Sequence, residues 1–284
     1  MLAGELFRNH SPLKDGSRIT LNLLKMKKVK LFFVVLLGVF LFVSCDQELT
    51  IPESSNSFDC VGFSSTELES IGITHNQYLT EVYESVDFSA CDNCRDAIIE
   101  EFKGLDIDVS GLGISLDSLI NQSVKLYDEL GSTDIRAWVN TPFNETTQNY
   151  LNSIMDKFDN ATTYSGYLGS LNNLQTVANN DNSLSCFDLE VINGTIEVAK
   201  NSAYLWMPQS AGGLDYYSIS HQSSVELRWS WRNAFASDVA SAAASMFELA
   251  GVLALTSVAP PANAVIAIGI GINAAVGSAI GGAL

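Results

Sequence analysis

Four cysteines could carry redox, metal or structural chemistry. Cys91 and Cys94 form a Cys-x-x-Cys pair, and Cys60 and Cys186 lie far from it on either side. Exported compartments are oxidising, and four cysteines allow three disulfide pairings, so we expect one or two disulfides among these residues. A local bond between Cys91 and Cys94 at a helix start and a bond from Cys60 to one of them both remain open.

Each catalytic use of these residues lacks a necessary component. A redox Cys-x-x-Cys needs a thioredoxin-like βαβ setting, which a helical neighbourhood does not offer. Zinc needs two more ligands, and His75 and His221 are both far away in sequence. A Cys–His–Asn hydrolase could use either Cys-x-x-Cys thiol with His75 and Asn76, but no local signature supports it. We therefore predict no catalytic residue, no metal and no cofactor, and we expect His75 and Asn76 to be a first-turn polar pair that contacts a loop or a neighbouring helix.

A targeting signal lies ahead of these residues, in the stretch MKKVKLFFVVLLGVFLFVSC at 26–45. Three lysines precede an apolar run at 31–43, and small Ser44 stands just before Cys45. The order of basic, apolar and small residues is typical of a secretory signal, and the run is shorter than the roughly 20 residues that span a bilayer. We expect the signal peptide to be 26–44 and residues 1–25 to be a mis-assigned extension.

The ending Leu-Phe-Val-Ser-Cys at 41–45 resembles the lipobox of bacterial lipoproteins. The resemblance implies that Cys45 becomes the first mature residue, carries a diacyl group on its sulfur and usually gains a third acyl chain on its amine. It therefore implies a protein attached through acyl chains to a membrane of the bacterial cell envelope, with the outer membrane expected. Several such chains make attachment effectively permanent. Polar residues 45–63 are predicted to be a flexible linker.

The chain beyond the signal is strongly acidic. Seven of the 15 Lys and Arg residues and two of the 32 Asp and Glu residues precede Cys45, which leaves 8 positive and 30 negative charges, a net charge of −22. Such a surface repels nucleic acid and anionic lipid, so we exclude nucleic acid as a partner.

Apolar spacing predicts a helical domain at 64–228. The first helix is predicted to begin at Thr74, because Thr74 and Gln77 match a capping box. Four further helices are predicted at 91–105, 115–130, 146–158 and 164–178. Residues 189–203 fit either a β-hairpin around Asn193-Gly194 or a helix, and we favour the helix because every neighbour is helical.

The tail at 229–284 is predicted to be an apolar Gly/Ala-rich helical hairpin that packs on or in the bundle. Pro260-Pro261 divides it, and its only charges are Arg232, Asp238 and Glu248. Close helix packing is expected at four glycines, Gly269, Gly271, Gly277 and Gly281. The pattern resembles the glycine-zipper tails of bacteriocin-like membrane-active peptides. The hairpin could be a buried core, a sheltered element that leaves for a membrane, or a docking surface for a partner.

The predicted fold class is therefore all-α, a helical bundle with a C-terminal apolar hairpin. The leading hypothesis for function is a lipid-anchored envelope protein, not an enzyme, that has a structural or interaction role with an unknown envelope protein or with itself. The alternative is a membrane-active or self-associating protein whose hairpin inserts into a bilayer. An envelope hydrolase or thiol redox protein comes third.

Overall fold

The computed structural model describes residues 61–88, 90, 94–130, 143–216, 231–256 and 262–283. The predicted signal, Cys45, Cys60 and Cys91 lie outside these ranges. Within them the chain forms eight α-helices and two short 3-10 helices, with no strand. The all-α prediction is confirmed.

The eight helices follow one another along the described parts of the chain. Their bounds are α1 Ser65–Ser85, α2 Cys94–Gly104, α3 Leu116–Leu130, α4 Glu145–Asp159, α5 Tyr164–Asn179, α6 Cys186–Trp206, α7 Trp231–Thr256 and α8 Ala262–Ala283, with 3-10 turns at Ser110–Leu112 and Gln209–Ala211. For α2–α5 the predicted bounds agree within about one turn, the usual uncertainty of helix ends predicted from sequence, and Pro260-Pro261 lies between α7 and α8 as expected. The ambiguous stretch at 189–203 lies wholly inside α6, so the hairpin alternative is wrong.

The predicted start of α1 at Thr74 is wrong. The helix begins earlier, because Ser64 caps it and forms a full capping box with Glu67. Gly72, which would weaken an isolated helix, is buried in α1, where a Cβ atom would lie 2.7 Å from the carbonyl carbon of Glu197 in α6. The close approach of α1 and α6 therefore carries the helix through Gly72 and places Thr74 and His75 in its buried middle.

The last helix is the centre of the bundle. Helix α8 packs most extensively against α7 and α1 and also contacts α3 and α2, while α6 packs against α1 and α7. Its segment Asn263–Ile280 is long and apolar enough to cross a membrane by length and composition, and 83% of that segment is buried inside the protein. Both tail helices belong to the same compact unit as the rest of the body, which extends from Ser54 to Leu284.

Two of the four predicted packing glycines lie at close helix contacts. A Cβ atom on Gly277 would lie 2.7 Å from the Cβ of Ser241 in α7, and one on Gly271 would lie 2.8 Å from the Cβ of Thr74 in α1. Real Cβ atoms do not approach so closely, so the missing side chains set the spacing of α8 from both neighbours. Gly269 is buried, and the surroundings of Gly281 are outside the described residues.

Candidate functional site

A fully buried carboxylate is the most unusual chemical feature of the body. Helix α7 is apolar on almost every side, so its acidic residue Asp238 is carried into the core and has no exposed surface. One carboxylate oxygen, Oδ2, accepts a hydrogen bond from Trp206 Nε1 at 2.6 Å and another from the Ser202 hydroxyl. The other oxygen, Oδ1, accepts one from the Ser278 hydroxyl. Three donors compensate the carboxylate for the water that it loses on burial.

A buried histidine faces the same carboxylate. His75 Nε2 lies 3.1 Å from Ser278 Oγ and 3.7 Å from Asp238 Oδ1. On the other side of the ring, Nδ1 lies 2.9 Å from Asn76 Oδ1, and the Asn76 amide donates to the backbone oxygen of Asn201 at 2.7 Å. We call Asp238, His75, Ser278, Ser202 and Trp206 the Asp238 cluster.

Helical periodicity places each member of the Asp238 cluster. His75 lies on the buried stripe of α1 that Ile71 and Leu79 also occupy, at steps of four residues. Ser202 and Trp206 are likewise four residues apart, on one face of α6. The cluster therefore joins α1, α6, α7 and α8 at one point of the core.

Aromatic rings pack around Trp206 at the edge of the Asp238 cluster. Tyr83 and Trp206 meet edge to face with ring centroids 6.3 Å apart, and Tyr216 packs against both rings. Burial and then the charge of Asp238 raise the pKa of Tyr83 well above its usual value, so its phenol stays neutral. Burial together with the charge of Glu84 raises the pKa of Tyr216 to about 12.

The cluster contains the residue types of a serine hydrolase in a different arrangement. In such enzymes the histidine lies between serine and aspartate, whereas here Ser278 lies between His75 and Asp238. The second ring nitrogen of His75 faces Asn76 instead of a carboxylate. His75 and Asp238 have no exposed surface and Ser278 is 1% exposed, so no substrate reaches the hydroxyl in this conformation. The geometry joins helices and can hold protons, and it does not present a nucleophile.

A second buried carboxylate, that of Glu190, binds the backbone that precedes α1. Glu190 in α6 accepts hydrogen bonds from three consecutive backbone N–H groups, those of Val61 at 2.9 Å, Gly62 at 2.7 Å and Phe63 at 3.1 Å. The φ angle of Gly62 is +79°, a left-handed conformation that turns the three N–H groups toward one point. Asn263 at the start of α8 donates to the Val61 oxygen at 3.4 Å. Residues 61–63, the last three of the predicted linker 45–63, are therefore fixed against α6 and α8.

A small cavity lies where α3, α7 and α8 meet. Its lining residues are Ser123, Tyr127, Ser241, Ala244, Ser245, Asn273 and Gly277. Its volume of about 20 Å³ is room for about one water molecule, and most of its accessible lining is apolar.

Two of the four cysteines predicted to form disulfides lie in the described part of the chain. Cys94 and Cys186 are each disulfide-bonded, and they are the first residues of α2 and α6. Their candidate partners, Cys60 and Cys91, lie outside the described residues, as does the predicted lipidation site Cys45. A disulfide-bonded Cys94 is not a free nucleophile, which removes one of the two thiols considered for a hydrolase. In the described part of the chain, no group of three or more His, Cys, Asp and Glu side chains could hold a metal ion.

Sequence reasoning found His75 and Asn76 but assigned them to the wrong part of the helix. Their predicted first-turn position is wrong, although the expected contact with a neighbouring helix is present. Two signals point to the cluster in retrospect: His75 shares the four-residue step of the apolar residues of α1, and Asp238 is one of only three charged residues among the 26 residues of α7. The Glu190 contact with residues 61–63 has no local sequence signal.

Comparison with protein-family models, curated proteins and solved structures gives no match to this chain.

Proposed function

We propose that the chain is a lipid-anchored protein of the bacterial cell envelope whose helical body has a structural or interaction role. The observation that carries the proposal is the junction at Glu190. A protein that hangs from a membrane needs a defined point where its linker joins its body, and three backbone N–H groups on one buried carboxylate provide such a point. The lipobox-like sequence that ends at Cys45 supplies the attachment at the other end of the linker.

The charge of the body supports a protein partner. The acidic surface disfavours binding to nucleic acid and to anionic lipid headgroups, and it keeps the body apart from a bilayer that carries negative charge. A partner with a neutral or basic face is compatible with this surface. An envelope protein of that kind, or a second copy that meets this one through uncharged residues, is the proposed partner.

Acylation of Cys45 is the first point to test. The full chain and a Cys45→Ala variant are expressed in a bacterium with a lipoprotein pathway, and the products are examined by mass spectrometry and by fractionation. We expect the parent protein to lack residues 1–44, to carry acyl chains on residue 45 and to remain with membranes, while the variant is released. Ser57→Ala, in the linker, serves as a matched control that should behave as the parent. A parent protein with an intact leader and a free thiol at position 45 overturns the proposal.

Insertion of the hairpin into a membrane is a second candidate function. The length and apolar character of Asn263–Ile280 favour it. Insertion would have to break the three hydrogen bonds to Asp238 and carry this residue into lipid, which is costly for a carboxylate. Carbonate extraction of the full-length Cys45→Ala variant separates the two functions. Recovery in the soluble fraction supports a sheltered hairpin, and retention in the membrane supports insertion.

A further inference from the structure

The hydrogen-bond directions around His75 determine where its protons are. The side-chain nitrogen of Asn76 faces the backbone oxygen of Asn201, which can only accept, so the orientation of this amide is fixed. Asn76 Oδ1 is therefore the atom that faces His75 Nδ1 at 2.9 Å. An amide oxygen also only accepts, so Nδ1 must carry a hydrogen.

The other side of the ring allows two arrangements. Ser278 has a single hydroxyl hydrogen and lies between His75 Nε2 and Asp238 Oδ1. If that hydrogen goes to Asp238, Nε2 must donate to Ser278 Oγ, and the ring is an imidazolium beside a carboxylate. If Asp238 is protonated and donates to Ser278, the hydroxyl donates to Nε2, and both groups are neutral. The two arrangements contain the same number of protons and differ by a shift of one proton across each of the two hydrogen bonds.

We propose that His75 and Asp238 hold one shared proton through the Ser278 hydroxyl, and that this proton locks the α7–α8 hairpin to α1 and α6. Without it, an ionised carboxylate would stand beside a neutral ring. A neutral ring and the Ser278 hydroxyl supply two hydrogens for three contacts, those of Asn76 Oδ1 with Nδ1, of Nε2 with Ser278 Oγ and of Ser278 Oγ with Asp238 Oδ1. One of these contacts would therefore bring two acceptors together with no hydrogen between them. No surface is exposed at His75 or Asp238, so bulk water does not reach them to relieve the contact.

The described surroundings contain no other group that could take up this proton near neutral pH. On α1, Tyr83 stays a neutral phenol because burial and Asp238 raise its pKa. On α6 the facing groups are Ser202 and Trp206, while Glu197 and Lys200 pair with each other at 2.6 Å. On α7 and α8 the facing groups are Asp238 itself and Ser278. Tyr216, whose ring packs against that of Tyr83, has a pKa of about 12, so its phenol is also neutral near neutral pH.

Nitrogen-15 NMR of the histidine ring tests the proton position directly. The full chain carries His10→Gln and His221→Gln so that His75 gives the only ring signals, and the spectrum is recorded at pH 7.5 in the folded and the urea-unfolded state. We expect either protons on both ring nitrogens, or a proton on Nδ1 alone together with a protonated Asp238 carboxyl, which the carbon-13 shift of that carboxyl reports. A folded protein with a single ring proton and an ionised Asp238 overturns the proposal.

Urea denaturation at one pH is the second readout. Asp238→Asn and His75→Gln should each lower the folding constant several-fold, and the double variant should lose less than the sum of the two, because both side chains act through one proton. Glu69→Gln, which changes an exposed carboxylate on the same helix as His75, should leave the folding constant within about twofold of the parent. Additive effects of the two cluster substitutions contradict the shared proton. If neither cluster variant folds, the NMR result still decides.

Discussion

Glu190 accepts a hydrogen bond from the backbone N–H of Gly62 at 2.7 Å, across 128 positions of sequence. Val61 and Phe63 donate to the same carboxylate, which is almost completely buried. Three consecutive amides around one carboxylate resemble the concave arrangements with which backbones bind anions, and here the anion belongs to the chain itself. This contact fixes the start of α1 relative to α6.

Replacement of Glu190 by Gln should therefore destabilise the body. A glutamine offers one accepting oxygen and turns an N–H₂ group toward backbone donors, so we expect a loss of about 1.5–3 kcal/mol in the free energy of unfolding, the range for hydrogen bonds to charged groups. Urea denaturation measures the loss. Glu81→Gln, an exposed position on α1, is the control and should change stability by less than about 0.5 kcal/mol. Equal stability of the two variants would show that the 61–63 contact does not hold the body.

A second prediction concerns the contact of α1 with α6. Gly72→Ala places a methyl group against the Glu197 carbonyl, which is backbone and cannot rotate away. The helices must separate, and we expect a loss of about 1–3 kcal/mol, as for other overpacked sites. Thermal unfolding followed by circular dichroism measures it.

Gly169→Ala is the matched control for this change. Gly169 is also inside a helix, α5, but a Cβ atom there meets nothing within 4 Å. The alanine should therefore stabilise the protein by about 0.5–1 kcal/mol through its higher helix propensity. A Gly72→Ala protein that is stabilised to the same degree would show that α1 and α6 do not approach so closely.

Most helix bounds could be predicted because they depend on local signals. The start of α1 could not, because it depends on the long-range contact of Gly72 with α6. Apolar spacing is local, and it predicts α4 and α5 correctly; in the structure Asn144 and Thr163 cap these helices. At α1 the prediction used the Thr74–Gln77 pattern, whereas the capping box that forms is that of Ser64 and Glu67, with Gly72 between the two. The contact with Glu197, more than a hundred residues away, decides in favour of Ser64.

The candidate sites depend even more on distant contacts. The Asp238 cluster brings together residues from four helices, and neither a spacing nor a composition reports that Ser278 lies between His75 and Asp238. The sequence does indicate that an acid in an apolar helix must be buried with partners, and it cannot name them. The identity of the donors follows only from the packing of α6 and α8 against α7.

The spacing of α7 and α8 provides a third prediction. Gly277→Ala should cost about 1–3 kcal/mol, because its methyl group would overlap the side chain of Ser241. Ser241→Gly removes that side chain and should restore much of the lost stability in the double variant, so a double-mutant cycle measured by urea denaturation should give a favourable coupling of at least about 0.5 kcal/mol. Additive effects of the two substitutions would mean that these positions do not touch.

The hydrogen bond from Trp206 Nε1 to Asp238 Oδ2 provides the fourth prediction. Trp206→Phe keeps an aromatic ring beside Tyr83 and removes the donor, so the buried carboxylate loses one of its three compensating hydrogen bonds. We expect a loss of about 1.5–3 kcal/mol, measured by urea denaturation at pH 6, with some part due to the smaller ring. The part due to the hydrogen bond is isolated by repeating the substitution in an Asp238→Asn background, where no charge needs compensation. Tyr204→Phe, on the same helix and partly exposed, should leave stability within about 0.5 kcal/mol. The same loss in both backgrounds would show that Trp206 stabilises the core by packing alone and that Asp238 does not depend on its indole N–H.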